Sequence, residues 1–374
     1  MTDADDPTNG DTDRLFMRRA IDLAKKADKR VRPNPAVGCV VVADGKIVGE
    51  GWHRQLGGPH AEVFALRDAG DQARGATAYV TLEPCNHTGR TPPCADALLQ
   101  AGVARVVIGA GDPNGIAAGG GAYLQDHGVD VERGIEQATC ERVAEVFFVN
   151  HRCGRAHLRL KVAATLDGFT AAADGTSQWI TGPAARHQVH RLRADADAIL
   201  VGSGTVLADD PRLSARDVPC EIQPAAVVLD RRLRTPPSAS LFSETARENL
   251  VYTTTGHGAE RRSALESTGA IVVAIDAGDD DEYLRLVLAD LLRRGRAAVF
   301  AEPGATVAGA VLRAGLVDRV DMMFGAKLLG TGAPVFGNLG ANTIAQAVPL
   351  VIDELQAVGA DAWISARLHQ RPGQ

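Results

Sequence analysis

Four residues have the types and the order that metal-assisted hydrolysis requires: His60, Glu62, Cys85 and Cys94. A catalytic zinc takes three protein ligands and keeps one position for water, with sulfur at ~2.3 Å and imidazole nitrogen at ~2.0–2.1 Å. One imidazole and two thiolates supply that set and leave the centre formally neutral. Zn2+ lowers the pKa of such a water to roughly 7, so a nucleophile exists at neutral pH. Glu62, two residues from the histidine, is placed to take that water's proton and return it to a ring nitrogen and a departing amine. This is the role of the glutamate in the H-x-E signature of zinc deaminases. Taken singly each piece is common, since His-Ala-Glu is usually a solvated helix start and paired cysteines are usually buried thiols. Their conjunction, each on an element that suits it, points to a zinc-dependent deaminase site in the N-terminal half.

Those elements can be read from periodicity. His60 and Glu62 open a helix expected over 60–69, Cys85 follows a strand at 76–82, and Cys94 follows Pro92-Pro93 at the start of a helix over 95–101. Free backbone N–H groups and the dipole at that helix start favour a thiolate. Upstream, Phe16, Ala20, Leu23, Ala24 and Ala27 line one face of a helix over 13–28. Strands at 37–42 and 46–51 are joined by Asp44-Gly45, a two-residue hairpin signal. A strand at 103–109, a Gly-rich stretch at 115–121 and a helix at 135–149 complete an α/β unit. Residues 1–12, acidic and broken by Pro7 and Gly10, read as a disordered tail, and polar residues 150–156 read as a connection. The domains expected are therefore 13–152 and 156–370. In the second, strands are expected at 158–163, 196–202, 225–229, 250–253, 271–275, 297–301, 319–324 and 363–368. Helices are expected at 183–193, 282–293 and 304–314, with a loop over 208–224 where Pro and charge break any period.

Composition limits the partners. A chain of 374 residues exceeds what one core usually supports. Net charge of −6 and a pI near 5.9 argue against nucleic acid, which needs a basic stripe, and favour small substrates. No apolar run is long enough to span a membrane, and no signal-peptide layout is seen, so a cytoplasmic protein is expected. Six cysteines in that compartment are not a disulfide framework, and the four outside the zinc set read as inert thiols.

Eight residues separate the two thiols where the usual deaminase pattern has two, so a generic nucleoside deaminase fits poorly. The stretch TLEPCNHTGRTPPC, with RPNPAVGCVV before it and GDPNG after it, closely resembles the bacterial bifunctional riboflavin-biosynthesis deaminase/reductases. The resemblance continues through KVAATLDGFTAAADGTSQWITG and DAILVGSGTVLADDPRLSAR, and so covers nearly everything after residue 13. It implies an α/β chain with a cytidine-deaminase-like three-layer domain followed by a dihydrofolate-reductase-like domain. The first would deaminate 2,5-diamino-6-(5-phosphoribosylamino)pyrimidin-4-one, and the second would use NADPH to reduce the ribosyl group to ribityl. A homodimer through the reductase domains is also implied.

By matching positions, the resemblance assigns NADPH contacts to Ala163, Trp179, Thr205, Asp209 and the segment Gly304, Ala305, Thr306, Val307, Ala308. It assigns substrate contacts to Ser177, Arg193, Leu213, Arg216 and Glu302. The residues agree on independent grounds. Gly202-Ser203-Gly204-Thr205 lacks the third glycine of a Rossmann fingerprint, whereas Gly304 opens a helix whose free N–H groups suit a phosphate. Arginine forks suit the substrate's phosphate, and Lys161 and Asp209 are candidate proton sources for reduction. Plainer roles compete: Trp179 as core, Asp209-Asp210 as turn chemistry, Arg193 and Arg216 as solvated charge, and His87, His187 and His190 as surface or supporting groups. The chain departs from the family pattern at Pro303, inside the usual E-G-G, at Arg231, which stands for a serine that contacts NADPH, at Asn86, and in GDPNG. Pro303 and Arg231 support a rival reading, a deaminase-only relative with a decayed reductase domain; a non-catalytic pyrimidine sensor is the third.

Overall fold

The computed structural model describes residues 7–87, 92–256 and 258–368. The chain divides into two units, Met1–Gly154 and Arg155–Gln374. In the first, α1 (Pro7–Ala24) precedes the hairpin of β1 (Gly38–Ala43) and β2 (Lys46–Trp52). There follow α2 (Ala61–Ala69), β3 (Thr77–Leu82), α3 (Cys94–Gln100), β4 (Arg105–Ala110), α4 (Gly120–Asp126), β5 (Asp130–Arg133), α5 (Gln137–Val143) and α6 (Glu145–Cys153). The sheet runs β2-β1-β3-β4-β5, with β1 antiparallel to both neighbours and β3, β4 and β5 parallel. The runs Cys39–Val42, Ala78–Leu82 and Val106–Ala110 are buried at every position, as strands covered on both faces must be.

Close approach of α2 to β2 fixes the entrance of the helix. A Cβ on Gly51 would lie 2.2 Å from the Ala61 carbonyl oxygen and 2.6 Å from the Ala65 nitrogen, and Gly49 is equally tight against Ala65 and Ala69. Only glycine lets the backbone of β2 and the first turns of α2 meet. At the other side of the site a Cβ on Gly120 would meet the Pro84 carbonyl oxygen at 1.8 Å, so the Gly-rich stretch seats α4 against the cysteine loop.

Several boundaries differ from those read in the sequence. The disordered tail expected over 1–12 does not hold from Pro7 onward, where α1 already begins, and residues 1–6 lie outside the described residues. Proline is tolerated in a first helical turn because its missing N–H would be unpaired there anyway. Further along, the buried Asp13 carboxylate pins the helix by accepting from Arg105 at 2.8 Å through each oxygen and from the Tyr79 hydroxyl at 2.9 Å. The single helix expected over 135–149 is two, breaking at Ala144, and α6 continues through 150–153, where a polar connection was expected.

The second unit runs β6 (His157–Thr165), β7 (Phe169–Ala171), α7 (Pro183–Asp195), β8 (Ala198–Gly202), α8 (Ser203–Asp209), β9 (Ala225–Leu229), β10 (Asn249–Thr254), α9 (Ala259–Glu266) and β11 (Ile271–Ile275). It continues with α10 (Asp280–Arg293), β12 (Ala298–Ala301), α11 (Ala305–Arg313), β13 (Arg319–Gly325), β14 (Ala333–Pro334), β15 (Leu350–Val358) and β16 (Asp361–Leu368). Its nine-stranded sheet has the order β11-β10-β9-β8-β12-β6-β13-β16-β15. From β11 to β13 the strands are parallel, and β16 and β15 close the sheet antiparallel. Because β12 returns between β6 and β8, the connections diverge there, opening a crevice at the carboxyl ends of β8 and β12, the usual place for a ligand in an open parallel sheet. The short pair β7–β14 and the helices α8 and α9 were not anticipated, nor was the edge strand β15.

Candidate functional site

In the first unit the His60, Cys85 and Cys94 ligand atoms lie within 4.8 Å of one another. His60 Nδ1 is 3.2 Å from Cys94 Sγ and 3.7 Å from Cys85 Sγ. A tetrahedral zinc with the bond lengths above would space a nitrogen and a sulfur by about 3.5 Å, so the set fits the ion, and fits it through Nδ1. His60 is the N-cap of α2, Cys85 follows β3, and Cys94 is the first residue of α3. The Cys94 N–H donates to Cys85 Sγ at 3.4 Å and the Ala95 N–H to the Cys85 carbonyl at 3.3 Å, fastening the two thiols together. Hydrogen bonding from Cys94, opposed by burial but aided by His60, holds the Cys85 thiol well below its ordinary range, and Cys94 is pushed far up. Glu62, 3% exposed in the first turn of α2, is raised by burial.

His60, Glu62 and Cys85 open onto a cavity of about 500 Å³, a size suited to one small-molecule ligand, and Cys94 is buried behind them. Pro33, Pro35, Leu56 and Phe147 supply apolar wall, and Asn34, His53, His87, Asp112 and Asn114 supply polar edges. His53, whose ring stands edge-on to His60 at 5.3 Å, donates from Nδ1 to the Pro59 carbonyl at 3.1 Å and accepts from the Asn34 amide at 3.2 Å. Glu83 accepts from the N–H groups of Asp112 at 3.4 Å and Gly121 at 3.1 Å, and Asp112 from that of Asn114 at 2.8 Å. Sequence reading used RPNP and GDPNG only as markers of resemblance; the fold makes them the two sides of the pocket. His87 lines it as well, and residues 88–91 of the thiol loop lie outside the described residues.

In the second unit the predicted residues fall into two groups. Lys161 on β6, Arg193 near the end of α7 and Glu302 after β12 form a nearly buried cluster. Arg193 Nε meets Glu302 Oε1 at 2.6 Å, and Lys161 Nζ stands 3.7 Å from Glu302 Oε2. Burial lowers Lys161 below the ordinary lysine range although Glu302 opposes it; Glu302 itself is lowered, the charges of Arg193 and Lys161 outweighing burial. Arg193 Nη1 donates to the Ser214 carbonyl at 3.1 Å, Arg216 Nη1 to the Ser214 hydroxyl at 3.1 Å, and the Arg216 N–H to His190 Nδ1 at 3.2 Å. Leu213 is 1% exposed and its carbonyl accepts from Arg247 Nη1, so neither its side chain nor its main chain stands open to a ligand.

The second group lines a crevice of about 400 Å³ at the carboxyl ends of β8 and β12. Thr205, Gly304, Thr306 and Val307 of the expected cofactor set are there, and the Gly304 N–H donates to Thr205 Oγ1 at 3.2 Å. Ala308 faces the core instead, fully buried. Arg231, Arg232 and Arg234 line the crevice as well; Arg234 donates to Ser203 Oγ at 2.9 Å, and Arg231 pairs with Asp280 above the Tyr283 ring. Ala163, Trp179 and Asp209 do not line this crevice. Ala163 lies two residues beyond Lys161 on β6. Trp179 is 61% exposed with the Arg186 guanidinium 4.4 Å over its ring, so it is not core. Asp209 ends α8 exposed, its neighbour Asp210 taking the turn role by accepting from Ser240 N–H and Oγ. No side-chain hydrogen bond joins Ser177 to the arginine cluster among the described residues.

Comparison with known proteins fits both halves. A family model for the cytidine and deoxycytidylate deaminase zinc-binding region matches residues 11–110, and one for the RibD C-terminal domain matches residues 156–364. Riboflavin biosynthesis protein RibD of Escherichia coli (strain K12) is 43% identical over 366 residues, covering 94% of this chain and 98% of that protein. The chain belongs to the RibD family. RibD of Mycobacterium tuberculosis (strain H37Rv) is 40% identical over 93% of this chain and 95% of its own length. RibD of Acinetobacter baumannii, form 1, superposes with a TM-score of 0.83 at 39% identity over 96% of this chain and all of that one. The Thermotoga maritima diaminohydroxyphosphoribosylaminopyrimidine deaminase/5-amino-6-(5-phosphoribosylamino)uracil reductase gives 0.81 at 33%, with the same coverage. As a RibD protein the chain is a bifunctional deaminase and reductase of riboflavin biosynthesis, with a cytidine-deaminase-type domain before a dihydrofolate-reductase-like one. The deaminase-only reading is corrected accordingly: the reductase domain is present at full length, and Arg231 lines the same crevice as Thr205, Gly304 and Thr306.

Proposed function

We propose that His60 Nδ1, Cys85 and Cys94 hold one zinc ion and that Glu62 is the proton carrier of deamination. When bound, zinc supplies a coordination position at which water becomes acidic. Glu62 takes a proton from that water and delivers it toward the amine that leaves as ammonia, so one C–N bond is replaced by a C–O bond. Its place suits Glu62 to this work, because it lines the cavity together with His60 and Cys85. Asn34, Asp112 and Asn114 present donors and acceptors to the pyrimidine edge, His53 holds the Asn34 amide in place, and the apolar wall excludes bulk water. The observation that carries this reading is the convergence of three ligand atoms beside a buried carboxylate at one cavity.

For reduction we assign NADPH to the crevice of the second unit. The N–H groups at the start of α11 suit its pyrophosphate, and Arg231 and Arg234 beside Ser203 offer cations for the extra phosphate that separates NADPH from NADH. Bound NADPH supplies a hydride for C1′ of the opened sugar. Lys161, held by Glu302, supplies the accompanying proton, while Arg193 and Arg216 hold the substrate's phosphate. Asp209, exposed at the end of α8, is the weaker candidate for the proton. A homodimer finds support in β15, a sheet edge with Leu350, Val351, Ile352 and Leu355 all exposed; light scattering would give the mass.

A coupled assay tests both halves. Zinc-loaded protein should release ammonia from the diaminopyrimidine phosphoribosyl substrate and then oxidise NADPH, one per ammonia. Ammonia release that survives complete removal of zinc would sink the first assignment. Equal kcat/KM with NADH and NADPH would sink the second.

A further inference from the structure

The loop that carries Leu213, Ser214 and Arg216 is braced from within at Ala215, whose N–H donates to Gln223 Oε1 at 2.9 Å and whose carbonyl accepts from Gln223 Nε2 at 3.0 Å, and from outside at the residues before Ser214. Leu213 sits at φ 52°, in the left-handed region that side chains with a Cβ disfavour. What faces its main chain is Arg247, just before β10. Arg247 Nη1 donates to the Leu213 carbonyl, and Nη2 donates to the Arg212 carbonyl and, at 3.4 Å, to that of Leu241. Among the described residues no carboxylate forms an ion pair with it. A largely buried cation committed to main-chain carbonyls is an expensive arrangement unless the fold needs those carbonyls fixed. Burial accordingly pulls its guanidinium down to about 10, with Glu244 opposing and Arg193 adding to the shift.

The same loop orients the arginines. Ser214 gives its carbonyl to Arg193 and its hydroxyl to Arg216, and the Arg216 N–H is anchored on His190. The charges of Arg193 and Arg212 bear on Arg216, so these guanidiniums crowd one another. Glu302 is the only carboxylate hydrogen-bonded to any of Arg193, Arg212, Arg216 and Arg247 among the described residues. Such a cluster waits for an anion, and its repulsion must be borne by whatever holds the loop in place.

We propose that Arg247 is a positioning residue of the reductase site: by fixing the Arg212 and Leu213 carbonyls it presets Ser214, and through it Arg193 and Arg216, to receive the substrate's phosphate. The proposal rests on the phosphate reading of Arg193 and Arg216 given above.

The test uses the full-length protein and steady-state reduction of the deaminated intermediate by Arg247→Met, Arg247→Lys and Arg216→Ala variants. Affinity for the dephosphorylated intermediate is measured alongside as competitive inhibition. Arg247→Met should raise KM for the phosphorylated intermediate by about 10–100-fold, the range of a lost hydrogen bond to a charged group. It should leave kcat, the KM for NADPH and the affinity for the dephosphorylated form within about twofold of wild type, a split that general loss of structure would not give. Arg247→Lys, able to reach one carbonyl, should restore part of the loss. If Arg216→Ala raises KM and Arg247→Met does not, the role of Arg247 is overturned while the phosphate reading stands. If neither raises it, the phosphate reading itself fails. Equal losses on both forms of the intermediate with no rescue by lysine would reduce Arg247 to a structural residue and overturn the proposal. Should Arg247→Met fail to fold, Arg247→Lys carries the test: a KM rise confined to the phosphorylated form supports the proposal, and an unchanged KM overturns it.

Discussion

Replacing Gly51 by alanine should slow deamination while leaving reduction alone, although Gly51 is neither a ligand nor a lining residue of the cavity. The added Cβ would stand 2.2 Å from the Ala61 carbonyl oxygen, 2.6 Å from the Ala65 nitrogen and 2.7 Å from Phe64 Cβ. Carbon–oxygen contacts settle no closer than about 3.3 Å, so the first turns of α2 must retreat by about 1 Å. That turn carries His60 as its cap and Glu62 one residue inside. Overpacking of this kind costs about 1–3 kcal/mol of stability, and a misplacement of about 1 Å at a reacting centre costs about 100-fold in rate. Two assays separate the effects: ammonia release at saturating zinc, and NADPH oxidation with the deaminated intermediate supplied directly. The first should fall by about two orders of magnitude and the second should not move. Wild-type ammonia release together with an unchanged melting temperature would refute the argument that β2 sets the position of the proton carrier.

Three further outcomes follow from the same geometry. Glu62→Gln should retain zinc by metal analysis and lose deamination by at least about 100-fold; a variant that still turns over would remove Glu62 from the chemistry. Glu302 raises the proton affinity of Lys161 against the effect of burial, so Glu302→Gln should shift the alkaline limb of the kcat profile for reduction to lower pH, and an unmoved limb would argue against Lys161 as the acid. Hydrogen bonds from Arg105 and Tyr79 outweigh burial and hold Asp13 below its ordinary range. Its stabilising contribution is therefore full above the unfolded value of about 3.9 and lost as pH falls through the lower folded one. Asp13→Asn should cost about 1.5–3 kcal/mol at pH 7, and the gap from wild type in urea melts should close below about pH 4; a gap that stays constant there would contradict the assignment.

The zinc ligands were legible in the sequence because coordination chemistry dictates residue types and the strand and helix periods place them. Which imidazole nitrogen faces the thiols was not, since only the fold, with His60 at the N-cap of α2, turns Nδ1 toward Cys94 and Cys85. Nor were the pocket walls, because Asn34, His53, Asp112 and Asn114 come from separate loops with no common spacing. The parallel strands at 225–229 and 271–275 were readable as short apolar runs, whereas Leu350–Val358 hides behind its exposure: an edge strand whose apolar residues meet no core has no burial pattern to read. Helix α8 was lost to the Gly-Ser-Gly that starts it, which looks like a turn. Thr205 and Gly304 fell into place at the crevice, but the role of Arg231 depends on Asp280 and Tyr283, about fifty residues away in sequence, and only the fold shows that pairing.

X-ray absorption at the zinc edge of the loaded, substrate-free enzyme tests the central assignment most directly. The account predicts two sulfurs at about 2.3 Å and two lighter nitrogen or oxygen neighbours at about 2.0–2.1 Å, with one sulfur lost in Cys94→Ser. A shell with no sulfur, or one that Cys94→Ser leaves unchanged, would contradict it.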